Sequence, residues 1–281
     1  MKAEDLPTNF DWRNIDGNCL VTPPRNQFVP SPCGSCWAHA ATGALSDRIK
    51  INAYNTNGGV PWDINLAPQY LLDCGMYGAS NINAGSCYGG SALLGYALIK
   101  ETGISDESCD PYIGSSPSHF SEVSCDQMMC RTCNRFGTCY LAPPEIRVYV
   151  DEYGLIDYET LSKGNMTMEE TMRSEIMSRG PIVCSMYAHA DSFENYTGGI
   201  IVDNTKYNAY NNYFQHTHTS TGTTHDLVLL GWGFDESSQL EYWIGRNSFG
   251  TLWGEEGFFY AQRGVDIFNM EEYCYWATPN V

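Results

Sequence analysis

Residues 33–39 read Cys-Gly-Ser-Cys-Trp-Ala-His, and apolar residues recur at helical spacing from there to residue 51. This pattern predicts a helix over residues 36–51 with Cys36 in its first turn. The N-terminus of a helix carries partial positive charge, which stabilises a thiolate. Cys36 is therefore the candidate nucleophile. The alternative is that Cys36, like other cysteines of the chain, is half of a disulfide bond.

A helix terminus alone does not account for an ionised Cys36. A free thiol has a pKa of about 8.5, and full ionisation in a mildly acidic compartment requires that pKa to fall by about 2, which corresponds to roughly 3 kcal/mol. A helix terminus contributes at most about 2 kcal/mol. We therefore expect a second cation beside Cys36, and a protonated histidine is the simplest candidate.

A strand-loop-strand pattern near the C-terminus supplies such a histidine. His225 precedes the apolar run 227–233, Asn247 follows the run 241–246, and the polar residues 235–239 lie between the two runs. The pattern predicts a β-hairpin whose open end brings His225 next to Asn247. An amide oxygen at that point would fix the orientation and the tautomer of the imidazole.

Two alternatives for the histidine stay open. His216 and His218 are competing bases, but they lie among threonine, serine and asparagine residues with no predicted strand to hold them. The alternative for His225 is a core histidine whose ring bonds a backbone carbonyl. The strand-loop-strand setting and the partner Asn247 favour His225 as the base.

Size and charge exclude several classes of protein. The chain has 281 residues, 43% of them apolar, and a formal net charge of −18. It is long enough for two compact halves. The negative charge would repel nucleic-acid phosphates and anionic membrane surfaces, so we expect neither as a partner. No apolar stretch approaches the roughly 18 residues of a membrane helix, so we expect no membrane insertion.

The composition changes near Pro143-Pro144. A zone rich in cysteine and glycine precedes these prolines. After them the pattern is typical of β-structure, with candidate strands over residues 146–150, 180–186, 227–230 and 242–244. We therefore expect a domain boundary near residue 144.

Cysteine content indicates an oxidising route of synthesis. The chain has 12 cysteines, too many for unpaired thiols in a reducing cytosol. Two glycosylation sequons, at Asn165 and Asn195, agree with secretion. The first thirty residues contain no apolar signal segment, so we expect the sequence to be a mature form.

Five stretches together resemble the papain family of cysteine peptidases: Gln27, residues 33–39, residues 86–90, His225 and residues 247–250. The resemblance spans nearly the whole chain. It implies an α+β, papain-like fold with an active-site cleft between two domains. The implied domains are a mostly helical left domain, residues 15–144, and a β-barrel-like right domain, residues 1–14 and 145–281. His225 lies 189 residues after Cys36, beyond the usual spacing of about 130–150, so insertions must account for the surplus.

The same resemblance implies a role for each site residue. Cys36 would attack the peptide carbonyl, His225 would protonate the leaving amine and later activate water, and Asn247 would orient His225. The Gln27 side-chain amide and the Cys36 backbone N–H would form the oxyanion hole. The implied substrate-binding residues are Phe28, Val29, Pro30, Gly89, Gly90 and Trp253, while Phe249 stands where the family usually has tryptophan. The implied partners are peptide or protein substrates and cystatin-like inhibitors, with no cofactor and no metal.

Within the family, the chain looks most like the cathepsin X branch, also called cathepsin Z, which is a lysosomal carboxypeptidase branch. Residues 28–32 resemble the mini-loop that blocks the primed side of the cleft in that branch. The branch implies the disulfides Cys33–Cys87, Cys74–Cys125, Cys109–Cys130, Cys133–Cys139 and Cys184–Cys274. It also implies a location in the lysosome or endolysosomal vacuole, or secretion.

Two cysteine questions remain within this resemblance. Cys36 is left as the free thiol, whereas Cys19 has no counterpart in the branch. We expect a monomer, with a disulfide-linked dimer through Cys19 as the alternative. A zinc clip at Cys130 and Cys133 is the alternative to their disulfides, although no second pair of ligands stands at zinc-site spacing.

Phe28 departs from the branch, in which a histidine at this position grips the terminal carboxylate of the substrate. One hypothesis is a carboxypeptidase in which the mini-loop closes the cleft sterically and His216 or His218 holds the carboxylate. The alternative for these two histidines is a solvated loop. The second hypothesis is an endopeptidase or a relaxed exopeptidase, because a lost charged hydrogen bond removes about 1.5 to 3 kcal/mol. A third is a secreted binding protein on an inactive peptidase scaffold, although the nucleophile and the base are both present.

Overall fold

A computed structural model describes residues 5–76, 82–116, 131–133, 139–141, 147–156, 166–205 and 223–280. The fold is α+β, as predicted. The helices are α1 (Cys36–Asn57), α2 (Pro68–Cys74), α3 (Ala92–Thr102), α4 (Met168–Arg179) and α5 (Asp191–Glu194), with a 3₁₀ turn at Ile267–Asn269. The strands are β1 (Phe10–Asp11), β2 (Gly85–Ser86), β3 (Gly89–Gly90), β4 (Arg131–Cys133), β5 (Cys139–Leu141), β6 (Tyr149–Ile156), β7 (Ile182–Met186), β8 (Ile200–Ile201), β9 (His225–Asp235), β10 (Leu240–Arg246), β11 (Phe258–Gln262) and β12 (Cys274–Asn280). Among the described residues, no helix is both long and apolar enough to cross a membrane.

Helix α1 is the central element of the fold. Residues 37–51 are buried without interruption, so the helix is covered on all its faces rather than along one stripe. It begins at Cys36 as predicted but continues past residue 51 to Asn57. The helix stops at Gly58, whose φ of 70° is left-handed and whose N–H bonds the carbonyl of Tyr54. The last turn escaped the prediction because residues 55–57 are weak helix formers and the glycine cap determines the end.

A large sheet forms the second half of the fold. Its strands lie in the order β6-β12-β7-β9-β10-β11-β8, and β1 pairs with β9. The four predicted strands correspond to β6, β7, β9 and β10. Strands β9 and β10 form the predicted antiparallel hairpin, with a register shift between Ile244 and Gly245. This hairpin carries both His225 and Asn247 at its open end.

Two hydrophobic cores cover the two faces of the sheet. One core lies against α4, and the other lies around α1, α2 and α3. In β7, Ile182, Cys184 and Met186 belong to the first core, while Val183 belongs to the second. A strand that is buried on both faces has a continuous apolar sequence, which explains the run in β9 as well. The domain boundary at residue 144 stays a prediction, because residues 142–146 lie outside the described part of the chain.

Disulfide bonds join Cys33 to Cys87 and Cys184 to Cys274, two of the five predicted pairs. Cys74 and Cys109 are disulfide-bonded as well. Their predicted partners, Cys125 and Cys130, lie outside the described residues. Strands β4 and β5 place Cys133 opposite Cys139 in backbone register. Among the described residues, no group of side chains could hold a metal ion. The zinc clip at Cys130 and Cys133 is not tested, because Cys130 lies outside those residues.

Cys19 and Asn195, two residues predicted to carry a covalent link, both lie at the surface. Cys19 is exposed and has a free thiol. Asn195 is exposed at the end of α5, where its side-chain amide donates a hydrogen bond to the carbonyl of Asp191 at 3.3 Å. Asn165 lies outside the described residues. Glycosylation of both asparagines therefore stays a prediction.

A buried ion pair joins α1 to the hairpin. Arg246 donates two hydrogen bonds to the carboxylate of Asp47, at 3.0 and 2.8 Å, and both side chains are almost fully buried. Thr22 completes the cluster, because its N–H and hydroxyl both donate to Asp47 and its carbonyl accepts from Arg246. Gly43 leaves room for the guanidinium, since a Cβ there would lie 2.8 Å from one of its nitrogens. The cluster thus joins three distant parts of the chain.

We predict that Asp47→Asn lowers the free energy of unfolding by about 3 to 5 kcal/mol, because it leaves the Arg246 charge buried without a counter-charge. Urea unfolding followed by tryptophan fluorescence measures the effect. Asp151→Asn is the matched control, since Asp151 is exposed on β6 and its change is expected to stay within about 0.5 kcal/mol. Equal stability of the two variants contradicts the prediction.

Candidate functional site

Cys36 is the first residue of α1, and its thiol is free. The half-cystine alternative is therefore wrong. The Cys33–Cys87 disulfide fixes the turn before the helix, and the Gly34 N–H donates to the Cys87 carbonyl at 2.8 Å. A Cβ at Gly34 would lie 2.7 Å from that carbonyl oxygen, so the turn requires glycine. This turn determines where α1 begins and hence where the thiol lies.

His225 and Asn247 meet at the open end of the β9–β10 hairpin. The Nε2 atom of His225 lies 2.8 Å from the Oδ1 atom of Asn247, and both side chains are buried. The same Oδ1 accepts the N–H of Ser248 at 2.8 Å, which identifies it as an acceptor. The neutral imidazole must therefore carry its proton on Nε2, and Nδ1 is the basic nitrogen. The contact that the hairpin pattern predicted is present.

The thiol lies against the strand that begins at His225. The sulfur of Cys36 accepts a hydrogen bond from the backbone N–H of Asp226, the next residue along β9. Helix α1 and strand β9 pack together through the second hydrophobic core. The fold thus brings Cys36 and His225, far apart in the sequence, to one place.

Aromatic rings surround the His225–Asn247 hydrogen bond. The ring of Phe249 lies 4.9 Å from the imidazole, centroid to centroid, and 5.6 Å from the ring of Trp253. Phe193 lies 6.4 Å from the imidazole on a further side. Phe249 therefore provides an apolar cover at the position where the papain-family resemblance implies a tryptophan. Such a cover keeps water from competing for the hydrogen bond.

Gln27 is buried, and three hydrogen bonds hold it to Ser248 and to the turn before α1. Its Oε1 accepts from the Ser248 hydroxyl at 2.7 Å, its Nε2 donates to the Cys33 carbonyl at 3.0 Å, and its N–H donates to the Ser248 carbonyl at 2.8 Å. The side-chain amide is therefore oriented with its nitrogen toward the turn that precedes α1.

Tyr112 and Ser248 support this arrangement, and sequence reasoning missed them both. The Tyr112 hydroxyl donates to the carbonyl of Gln27 at 2.8 Å and lies 2.7 Å from the hydroxyl of Ser35. Ser248 bonds Gln27 and, through its N–H, Asn247. Ser248 could have been noticed, since it directly follows Asn247. Tyr112 has no such signal, because its partners lie 77 and 85 residues away.

Burial disfavours the charged forms of both Cys36 and His225. It raises the pKa of Cys36 to about 12, with a further contribution from the nearby Asp226, and it lowers the pKa of His225 to about 4. Each group is therefore held neutral as long as the other is neutral. Transfer of one proton from thiol to imidazole would create two opposite charges that stabilise each other. The predicted thiolate-imidazolium pair accordingly stays a prediction.

The predicted mini-loop, residues 28–32, lies beside the aromatic cover. The ring of Phe28 is 43% exposed and lies 5.1 Å from that of Phe249. Val29 is exposed as well, and the peptide bond between it and Pro30 is cis. His216 and His218, the proposed carboxylate ligands, lie outside the described residues.

The other predicted binding residues, Gly89, Gly90 and Trp253, belong to separate parts of the chain. Gly89 and Gly90 form the exposed strand β3, and a Cβ at Gly90 would lie 2.4 Å from the ring of Trp37. The Nε1 of Trp253 donates to the carbonyl of Glu194 at 3.3 Å. His189 lies near it and bonds the carboxylate of Glu194 at 3.0 Å.

Comparison with known proteins identifies the family. The sequence profile described as "Papain family cysteine protease" matches residues 6–278. The chain belongs to the papain family of cysteine proteases. It is 34% identical to "Cathepsin Z" of Onchocerca volvulus over 98% of this chain and 79% of that protein. It is 28% identical to "Cysteine protease" of Blomia tropicalis over 97% of this chain and 66% of that protein.

The papain-family fold is also found among solved structures. A structure from work on antibody cross-reactivity between the mite allergens Blo t 1 and Der p 1 matches with a TM-score of 0.68 and 27% identity. The match covers 97% of this chain and 71% of that one. Digestive procathepsin L2 proteinase from Tenebrio molitor larval midgut matches with a TM-score of 0.66 and 22% identity, which supports the fold alone. The predicted fold class is therefore confirmed.

We predict that in a Cys36→Ala variant the imidazole of His225 stays neutral until the pH falls to about 4, because no thiolate can then compensate for burial. An unfolded histidine takes up its proton near pH 6.5. The free energy of unfolding of this variant should therefore fall as the pH decreases from about 6.5 to about 4.

Nuclear magnetic resonance of ¹⁵N-labelled imidazoles checks the titration. A Cys36→Ala/His225→Gln variant identifies the resonance, since its spectrum lacks that one signal. A midpoint near pH 6.5 for His225 would show that burial does not control its charge.

Proposed function

We propose that the protein hydrolyses peptide bonds, with Cys36 as nucleophile and His225 as general acid and base. The observation that carries the proposal is the hydrogen bond between His225 Nε2 and Asn247 Oδ1, 2.8 Å long, beside a free thiol at the start of a helix. The bond leaves Nδ1 as the proton acceptor. Membership of the papain family supports the same assignment.

In the first half of the reaction, the Cys36 sulfur forms a bond to the peptide carbonyl carbon after its proton has moved to His225 Nδ1. The proton then passes to the leaving amine as the C–N bond breaks, which leaves an acyl-thioester on Cys36. In the second half, Nδ1 takes a proton from water as the oxygen attacks the thioester, and returns it to the sulfur. The carboxylic acid product and the free thiol are restored.

Gln27 is proposed to stabilise the oxyanion of both tetrahedral intermediates. Its Nε2 has two N–H groups, and the hydrogen bond to the Cys33 carbonyl uses one of them. The backbone N–H of Cys36, at the first position of α1, has no partner within the helix. Two such donors in a buried site are worth about 3 to 4 kcal/mol each in the transition state.

A carboxypeptidase of the cathepsin X type is the more specific proposal. Two observations support it: the mini-loop contacts Phe249 beside His225, and the chain is 34% identical to a protein named Cathepsin Z. A loop in that position would leave room for few residues beyond the scissile bond. Location in a lysosome or endolysosomal vacuole, or secretion, and inhibition by cystatin-like proteins belong to this proposal.

An endopeptidase or relaxed exopeptidase is the second candidate, and Phe28 favours it. The side chain of Phe28 stacks against Phe249 and carries no charge to bind a terminal carboxylate. His189, on the primed side near Trp253, is exposed and bonded to Glu194. A glutamate beside that histidine reduces the positive charge that a substrate carboxylate would meet.

Substitutions of the proposed catalytic residues test the main proposal. We predict that Cys36→Ala lowers kcat/KM for peptide hydrolysis by at least about 10⁴-fold and that Gln27→Ala lowers kcat by about 10² to 10³-fold. Cys19→Ala is the matched control, since its thiol is also free and it is exposed. It should keep its rate within about twofold.

Labelling by a thiol-directed epoxide provides a second measurement. Mass spectrometry should find the label on Cys36 in the reduced, folded protein. A protein that neither hydrolyses peptides nor takes the label at Cys36 would instead be a binding protein on a peptidase scaffold.

Matched peptides with free and amidated C-termini separate the two specificities. A carboxypeptidase should cleave the free acid faster by about 10- to 150-fold, the ratio expected from a charged hydrogen bond of about 1.5 to 3 kcal/mol. Equal rates on both peptides support the endopeptidase. Phe28→His should increase the preference for the free acid, whereas Phe28→Leu, the control, should not.

A further inference from the structure

A small cavity lies beside Asn247, and the reaction proposed above does not use it. Its walls come from α1, the start of β9, the end of β10 and the segment that leads to Gln27. Its volume is about 20 Å³, whereas one buried water molecule needs about 10 to 15 Å³. The cavity can therefore hold a water molecule but no part of a peptide substrate.

Asn247 contributes a buried donor to this cavity. Its side chain is 3% exposed, and its Oδ1 accepts hydrogen bonds from His225 Nε2 and from the Ser248 N–H. The other end of the amide, Nδ2, has no hydrogen-bond partner among the described residues. Buried amide groups are almost always bonded, either to protein or to ordered water. The Nδ2 atom therefore requires an acceptor, and the cavity that Asn247 lines is where one can lie.

His39, on α1, lines the same cavity and contributes the complementary group. Its side chain is 6% exposed, and its Nδ1 lies 3.1 Å from the carbonyl oxygen of Ser35. A carbonyl can only accept, so Nδ1 carries the proton and Nε2 of the neutral ring is an acceptor. Within the described residues, the bond to Ser35 is the one hydrogen bond of this ring. Burial lowers the pKa of His39 to about 3, against the hydrogen bond to Ser35, so the ring is neutral near pH 7.

The charged side chains that line the cavity each have a partner of their own. They are Arg25 with Glu107 and the Leu66 carbonyl, Arg246 with Asp47, and Asp226 with the Ser185 hydroxyl. Two arginines attract an anion, but the lone pair of His39 Nε2 and the carboxyl of Asp226 disfavour one. A neutral molecule that both donates and accepts satisfies Asn247 and His39 together, and water is such a molecule.

We propose that this cavity binds a water molecule that accepts a hydrogen bond from Asn247 Nδ2 and donates one to His39 Nε2, and that His39 is thereby a positioning residue for Asn247. The inference rests on the proposed function, in which Asn247 orients His225. His39 fixes the water so that an oxygen lone pair faces Nδ2. The water satisfies Nδ2 without competing for Oδ1, which stays bonded to His225.

A crystal structure of the full chain, at a resolution that shows ordered water, tests the site directly. We expect one water oxygen within about 3 Å of both Asn247 Nδ2 and His39 Nε2. A bound anion at that place, a direct bond from Nδ2 to another protein group, or the lack of any ordered molecule there overturns the proposal.

Two substitutions of His39 test its role in catalysis. Both His39→Phe and His39→Gln remove the Nδ1 bond to Ser35, but Gln keeps a polar group near the position of Nε2, whereas Phe keeps only the ring that packs against Tyr112. We expect His39→Phe to lower kcat by about tenfold with little change in KM, as expected when one buried donor loses its partner. His39→Gln should keep kcat within about threefold of the unchanged chain.

The tautomer of His225 provides a readout that does not depend on hydrolysis. In a Cys36→Ala background at neutral pH, nuclear magnetic resonance of ¹⁵N-labelled imidazoles should show the proton of His225 on Nε2. Adding His39→Phe should move part of the population to the Nδ1 tautomer, because the Asn247 amide is then less firmly held, whereas His39→Gln should not.

Equal loss of kcat in the two His39 variants, or an unchanged His225 tautomer in His39→Phe, overturns the proposal, because a merely structural role through Ser35 predicts both. If His39→Phe does not fold, the crystal structure of the unchanged chain decides the matter alone. The expected water and tautomers in a chain that hydrolyses no peptide count against the proposed function and not against the role of His39.

Discussion

The buried ion pair between Asp47 and Arg246 is the constraint on which the site depends. Asp47 belongs to the helix that begins with Cys36, Arg246 directly precedes Asn247, and Thr22 belongs to the segment that leads to Gln27. One carboxylate thereby sets the relative positions of all three parts of the site. Such a pair contributes little net stability compared with an apolar replacement, but it permits only one arrangement of its partners.

The proposed reaction needs charged forms of Cys36 and His225 in a site where burial favours their neutral forms. The Cys36 thiol, the His225 imidazole and the Asp226 carboxyl lie within two neighbouring elements, and burial favours the uncharged form of each. A chemistry that begins with separation of charge therefore depends on the few dipoles that are already oriented, which are the start of α1, the amide of Asn247 and the N–H of Asp226. Small changes in these groups should affect reactivity more than they affect folding.

Local patterns in the sequence predicted the parts of the site that local structure builds. The start of α1 followed from the spacing of apolar residues, and the meeting of His225 with Asn247 followed from two strands around a polar loop. The Asp47–Arg246 pair could not be predicted, because its members are 199 residues apart and nothing near either one indicates the other. Tyr112 escaped for the same reason. Asp226 was visible as the neighbour of His225, but its burial depends on Ser185 and α3, which only the folded chain brings to it.

The burial of α1 on every face has a mechanical consequence. The helix contributes to the core around α2 and α3, its Ile51 belongs to the opposite core, and its Asp47 is bonded to the sheet. A hinge motion of one half against the other would have to expose that helix and break the ion pair. The cleft should therefore keep a constant width. The loops at its rim, and not the two halves of the fold, would move to fit different ligands.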